Sequence, residues 1–383
     1  MRRIAAHYLI DRSQVIPRPI IELDDEGRVV SVGEWERLDN IPSTEFYAGA
    51  LSAGFVNAHC HVELSYLHSA IERGTGFGGF AKAIGQVRGN FTEEQREDAM
   101  RRAMAQMWSE GVQAVGDIIN DDSSFALKSS SPIRWHNFVE CFGLKSDAES
   151  LERLAELTLK GKALGMATTL TPHSTYSLQD QILRSIAERE QMLSIHFMES
   201  PDESALYEGS GSLHEWYSRM GWECDFLHYG SPAKRLKASV EGSERLLLVH
   251  NCCITREDYK LLKVHFSHPV TWVLCPASND YISGLKPPVE LLREVGAKIA
   301  LGTDSLASNE NLSMLDEIRL LDSVPFAEAM AWATIGGAEA LGMEQEIGSM
   351  EVGKRPGVIL LEGLCYEKGI PKITPFTTSR RLM

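Results

Sequence analysis

His59 and His61 stand two residues apart at the end of a short apolar run, Phe55-Val-Asn-Ala. On a strand, alternate side chains share a face, so both imidazoles point the same way. Neutral imidazole is a common ligand for zinc and similar metals, and the pair can reach one cation. Cys60, between them, points to the opposite face and is read as packing. Further along the chain His173, His196 and His250 each close an apolar run, and Asp304 follows another. Three histidines and one carboxylate form a site for one divalent cation with a position left for water. Glu199, three residues past His196, is placed to carry a proton.

Residues so far apart in sequence meet only if a scaffold brings strand ends together. From residue 53 the chain alternates apolar strands with amphipathic helices, and eight strands are expected up to residue 301. After the first run these are 112–119, 134–142, 166–171, 192–197, 245–249, 270–274 and 297–301. Helices are expected at 92–110, with Thr92 as N-cap and Glu93 and Glu94 in the first turn, and at 148–164, 178–190 and 255–264. Others fall at 288–295, 311–321 and 326–341, whereas 200–243 reads as a less regular insert carrying Trp216 and Trp222. This alternation predicts an α/β fold, a TIM-like (β/α)8 barrel, over residues 53–343. The strand-and-turn segments 1–52 and 344–383 would together form a small composite β-sandwich domain, and residues 376–383 read as a loose polar tail. In a barrel of this type catalytic groups lie at the C-terminal ends of strands, where these histidines and Asp304 fall.

The chain has 383 residues, 43% hydrophobic and 24% charged, with a formal net charge of −15. That size buries a large core, and that charge without a Lys/Arg block gives no attraction for nucleic acid or anionic membrane. Asp11 and Arg12 interrupt the first apolar run before it could be a signal segment, and no apolar stretch reaches spanning length. Seven scattered cysteines without a Cys-x-x-Cys pair fit a reducing cytoplasm. The expected partner is a small-molecule substrate; a homodimer is left open.

The motifs Gly54-Phe-Val-Asn-Ala-His-Cys-His-Val-Glu63, Thr171-Pro-His173, Ile195-His196 with Glu199, Val249-His250, Cys275-Pro-Ala-Ser-Asn279 and Leu301-Gly-Thr-Asp-Ser-Leu-Ala-Ser-Asn309 resemble the amidohydrolase superfamily. Within it they look like the branch of deaminases and triazine chlorohydrolases, and most like nucleoside-type deaminases such as aminodeoxyfutalosine deaminases. The resemblance implies that His59, His61, His196 and Asp304 hold one divalent metal, zinc with iron or manganese as alternatives. It makes Glu199 and His250 catalytic together with Asp304, and has His173 contact substrate. Dinuclear members bridge two metals through a modified lysine; the nearest lysine here is Lys145, beyond Gly143, which favours one metal. Two departures are Phe197-Met-Glu-Ser200, where many relatives carry Ala-Glu-Thr, and Ala277, where many carry arginine.

Glu63 continues the alternation of His59 and His61 on the same face and is read either as a substrate contact or as a hydrogen-bond partner of a ligand histidine. Ser305 is a candidate donor beside Asp304, while Ser278-Asn279 and Ser308-Asn309 are equally well turns. The expected reaction is hydrolytic release of ammonia from an aminated nitrogen heterocycle, nucleoside-like in form. The same residues would serve cleavage of a cyclic amide or carbon–halogen bond, or a non-catalytic metal store, although a store has no use for Glu199 and His250.

Overall fold

All eight runs expected between residues 53 and 301 are strands in the computed structural model, which describes residues 1–37, 43–241 and 243–383. Residues 38–42 of the expected terminal domain and residue 242 of the expected insert lie outside the described residues. Five strands come first: β1 (Arg2–Asp11), β2 (Gln14–Pro17), β3 (Pro19–Leu23), β4 (Val29–Glu34) and β5 (Thr44–Ala53). The central eight are β6 (Phe55–Cys60), β7 (Val112–Ile119), β8 (Arg134–Cys141), β9 (Ala167–Pro172), β10 (Met192–Phe197), β11 (Arg245–His250), β12 (Val270–Leu274) and β13 (Lys298–Leu301). Their residues are buried almost throughout, as expected of parallel strands covered on both faces.

The central strands form two four-stranded parallel sheets, β6-β7-β8-β9 and β10-β11-β12-β13. Backbone bonds join the two sheets at both edges. At one, His196 N–H donates to His173 O at 2.8 Å. At the other, the N–H groups of Thr303 and Asp304 donate to His59 O at 3.0 and 3.1 Å. One apolar cluster draws Val56, Ala114, Phe138, Val249, Val273 and Ala300 from both sheets. The opposite strand faces pack on the surrounding helices in a second cluster containing Val139, Leu193, Leu248 and Leu301.

The helices start where the sequence says they should. Thr92 caps 93–110 through a reciprocal box with Gln95, and Asp147 caps 148–163. Gly111 ends the first of these at φ +103°, with Ile359 Cγ2 only 2.2 Å from where a Cβ would stand. No side chain fits there.

Strands from both chain ends build one seven-stranded sheet, β17-β14-β5-β1-β3-β4 with β2 on β1, where β14 is Val358–Glu362 and β17 is Thr378–Arg381. Between these two, β15 (Cys365–Glu367) and β16 (Ile370–Lys372) pair as a separate hairpin. The C-terminal segment is thus no loose tail. Backbone pairing is indifferent to its polar side chains, and Arg381 donates to the carbonyls of Trp108 and Val112 at 2.9 Å, closing the end of helix 93–110. The 200–243 segment is also more regular than expected, with helices at Pro201–Tyr207, Gly211–Arg219 and Pro232–Ser239. Pro201 and Pro232 occupy first-turn positions, which signal a helix start. A helix over Gly76–Val87 was not foreseen, since its four glycines argue against one.

His136 on β8 is buried beneath the Phe138 ring and hydrogen-bonded to Thr169 Oγ1 at 3.0 Å. Burial lowers its ring to about 4, against an ordinary value near 6.5. An unfolded chain therefore takes a proton that the folded one refuses, and stability present above pH 6.5 is lost as pH falls toward 4. The full shift corresponds to about 3 kcal/mol at most. In metal-loaded protein, His136→Gln is expected to flatten the fall in urea-denaturation stability between these pH values; an unchanged slope would refute the assignment.

Candidate active site

The site residues lie where the two sheets meet. His59 is the penultimate residue of β6 and His61 follows the strand; His196 lies on β10 and Asp304 three residues past β13. His61 Nε2 is 3.2 Å from His59 Nε2, 3.3 Å from His196 Nε2 and 3.4 Å from Asp304 Oδ1. His59 Nε2 stands 3.9 Å from the same oxygen. Four lone-pair-bearing atoms this close repel unless a cation sits among them. Ligands about 2.0–2.1 Å from a tetrahedral zinc are themselves about 3.3–3.4 Å apart, so the donor set fits a divalent ion.

Protonation favours ligation as well. Burial pushes the His61 ring down to about 3 and also lowers His59, His173 and His250, leaving them neutral at pH 7. Burial opposes ionisation of Asp304, but His61, His250 and the Ser278 hydroxyl outweigh it and keep the carboxyl below its ordinary value. Asp304 Oδ2 accepts from Ser278 Oγ at 2.6 Å and Ser308 Oγ at 2.9 Å, so Oδ1 is the oxygen left for the imidazoles. His196 Nδ1 is 3.0 Å from His173 O, which leaves its Nε2 to the cluster.

Glu199 and His250 face each other beside this cluster, with carboxylate Oε2 3.9 Å from Nε2. His250 Nδ1 donates to Asn279 Oδ1 at 2.8 Å, fixing the ring. Burial pushes the Glu199 carboxyl up to about 7; His196 works against the shift and Asp304 adds to it. Met198, His250 and Asp304 have φ of +49°, +77° and +56°, a left-handed conformation that costs a residue with a side chain about 1–3 kcal/mol. Three residues of the site thus carry this strain, which also occurs at turns elsewhere, such as Arg12-Ser13 and Lys368.

A cavity of about 450 Å³ opens over these groups, and His61, His196, Glu199, His250 and Asp304 line it. His173 also lines it, its ring stacked on that of His196 at 4.6 Å. The far end is aromatic, formed by Phe142, Tyr176, Trp216 and Trp222 together with Phe77 and Phe80 of the glycine-rich helix.

Two expectations change. Glu63 does not continue the face of His59 and His61, because the chain leaves β6 and turns into a 3-10 helix at Val62. Its carboxylate accepts from Asn120 N at 2.9 Å and Ser124 Oγ at 3.0 Å, and it borders an adjoining cavity instead. Ser305 lines the main cavity, but the hydroxyls on Asp304 belong to Ser278 and Ser308. Ser305 Oγ lies 3.3 Å from Ser308 Oγ, one step behind the carboxylate.

Sequence reasoning missed Glu140, the penultimate residue of β8, which lines the cavity with its Oε1 3.9 Å from His196 Nδ1. A carboxylate at the end of this strand, two residues past the buried Phe138 and so on the same face, was the available signal.

Residues 50–381 match the family described as Amidohydrolase family, and the chain belongs to it. A Helicobacter pylori (strain ATCC 700392 / 26695) protein named adenosine deaminase is 28% identical over 370 residues, 87% of this chain and 86% of that one. The solved structure of Helicobacter pylori aminofutalosine deaminase in complex with Methylthio-coformycin is similar with a TM-score of 0.83 at 24% identity, covering 97% of this chain and 100% of that one. An adenosine deaminase from Xanthomonas campestris with bound zinc gives a TM-score of 0.74 at 24% identity, over 94% and 84% of the two chains.

Zinc titrated into metal-stripped protein should bind at one equivalent per chain, and Asp304→Ala should abolish tight binding. Ser278→Ala removes one hydroxyl from Asp304 and should weaken zinc by about 10- to 100-fold in a chelator competition. Two equivalents in the native protein would overturn the single-site geometry.

Proposed function

We propose that this protein is a metal-dependent aminohydrolase that releases ammonia from an exocyclic amino group on a nitrogen heterocycle, with a nucleoside-like substrate. The observation that carries this reading is the buried Glu199 carboxyl, held near a neutral pKa 3.9 Å from His250 beside a cation-ready donor set. Among enzymes, an ester hydrolase has little need for such a proton carrier. An amidine-like ring does need one, because protonating its nitrogen makes the adjacent carbon electrophilic. The names of the similar proteins point the same way.

We read the two parallel sheets, joined at both edges, as one closed (β/α)8 barrel over residues 53–343. Residues 1–52 and 344–383 form the composite β domain, its seven-stranded sheet and hairpin standing where a sandwich was expected. His59, His61, His196 and Asp304 would hold the metal, zinc in preference to iron or manganese. When bound, such a cation supplies Lewis acidity that brings the pKa of water down to about 7.

The chain's own residues account for the remaining chemistry. Asp304, with Oδ2 committed to two hydroxyls, offers Oδ1 as an acceptor to the attacking water. Glu199 gives a proton to the ring nitrogen and later one to the departing amine, as general acid and base. His250, locked by Asn279 with Nδ1 as the donor, turns the lone pair of Nε2 to accept from the attacking water and orient it. His173 and the aromatic end of the cavity receive what the heterocycle carries, and Ser305 lies within the same wall.

Zinc-loaded protein is expected to release ammonia from at least one member of a panel of adenine nucleosides, guanine, cytosine and aminotriazines. Glu199→Gln should lower turnover by roughly 100-fold or more while leaving zinc content unchanged. Loss of zinc in that variant would make Glu199 a ligand, and opening of hydantoin or dihydropyrimidine rings without ammonia release from the panel would replace this reading.

A further inference from the structure

Glu140 is the one cavity-lining carboxylate to which neither the metal site nor the proton transfers assign work. It is 9% exposed, and Asn120 Nδ2 donates to its Oε2 at 3.0 Å. Its Oε1 has no hydrogen-bond partner although it is buried. Among the described residues no arginine or lysine forms an ion pair with it; the His196 ring stands with Nδ1 at 3.9 Å, already committed to His173 O at 3.0 Å. A buried carboxylate oxygen left unpaired costs about 1–3 kcal/mol or more, so something must donate to it.

The surroundings are built to hold that oxygen toward the cavity. Asn120, just past β7, is fixed at its own N–H by Glu63 Oε2, and Ser124 fixes the other oxygen of Glu63. Ser124, Glu63, Asn120 and Glu140 thus form a chain of hydrogen bonds whose free end is Oε1. Register gives the direction too: Glu140 pairs with Thr171 across β8 and β9, two residues beyond the Phe138–Thr169 pair, on the face that lines the cavity.

Position then restricts the donor. The metal donors and the groups that move protons come from β6, β10, β11 and the segment after β13, whereas Glu140 lies between Asn120 and His173 on the β7–β9 side. A heterocycle held against Glu199 and His250 can place its substituent on that side, where Glu140 stands 3.9 Å from His196 Nδ1.

We propose that Glu140 is a substrate-binding residue whose Oε1 accepts a hydrogen bond from a sugar hydroxyl on the heterocycle, with Asn120 and Glu63 as its positioning residues. This rests on the nucleoside aminohydrolase reading. It accounts for Glu63 as well, which the sequence offered either as a substrate contact or as a partner of a ligand histidine and which here stands behind Asn120.

The test compares adenosine with its 2′-, 3′- and 5′-deoxy analogues as substrates of zinc-loaded full-length protein, wild type against Glu140→Gln. In the wild type, removing one particular hydroxyl should lower kcat/KM by about 10- to 100-fold, the worth of a hydrogen bond to a charged group. In Glu140→Gln that gap should close, with zinc content unchanged. Asn120→Ala should narrow the same gap. Equal losses on all four substrates, loss of zinc, or a wild type indifferent to every hydroxyl would overturn the proposal. Calorimetric binding of inosine and its deoxy forms repeats the comparison without turnover. If no ammonia is released from any substrate, the aminohydrolase reading fails, and this binding gap alone upholds or overturns the role of Glu140.

Discussion

The bonds that join the two parallel sheets are made by the residues that form the site, and the rest of the molecule depends on that coincidence. His59 O receives the N–H groups of both Thr303 and Asp304, and His173 O receives both the backbone N–H and the ring Nδ1 of His196. A shift of register at either edge would therefore move a side chain of the donor set along with the strand. At Gly302 the backbones approach so closely that a Cβ would meet His59 Cβ and O at 2.8 Å. The joining of the sheets and the donor geometry are one constraint, and a variant that loosens an edge loses both.

Buried charge reinforces this from behind. Asp117 accepts from Val62 N at 2.8 Å, next to His61, and is itself paired to a fully buried Lys128. Glu317 accepts from Ala277 N and from Asn309 Nδ2, both at 2.9 Å, clamping the segments that carry the two serines on Asp304. Burial pushes the Glu317 carboxyl up to about 8. Such groups are costly to desolvate and are weak sources of net stability. Besides Lys128, their partners are backbone and amide donors beside the candidate site, so their contribution is positional.

Much of this was legible in the sequence because it follows a short local rule. Apolar runs that end in His or Asp, separated by capped amphipathic helices, give both the strands and the rim residues. Glu140 escaped because its importance lies in a missing partner, which only three-dimensional packing reveals. Ser278 and Ser308 escaped because a serine in a turn and a serine on a carboxylate look alike in one dimension. Thr378–Arg381 looked loose because edge pairing leaves no hydrophobic period. Glu63 was misplaced by extending strand alternation past the point where the chain turned.

The glycine-rich helix shows the limit of local propensity from the other side. Four glycines in Gly76–Val87 each cost about 1 kcal/mol relative to alanine, and none of its residues is fully buried. The helix persists by laying Phe80, Ile84 and Val87 against the small cluster of Leu67, Ile71 and Ala307. Its other contribution is to the cavity wall, where Phe77 stands edge-on to Tyr176 at 5.8 Å. The candidate site's histidines and Asp304 are held at the ends of strands buried on both faces, whereas the aromatic wall of the cavity rests on this weakly anchored helix and the helices of the 200–243 segment. On the proposed reading, rigidity is placed at the donor set and the proton carrier, and the wall facing the substrate is built on elements the core does not require.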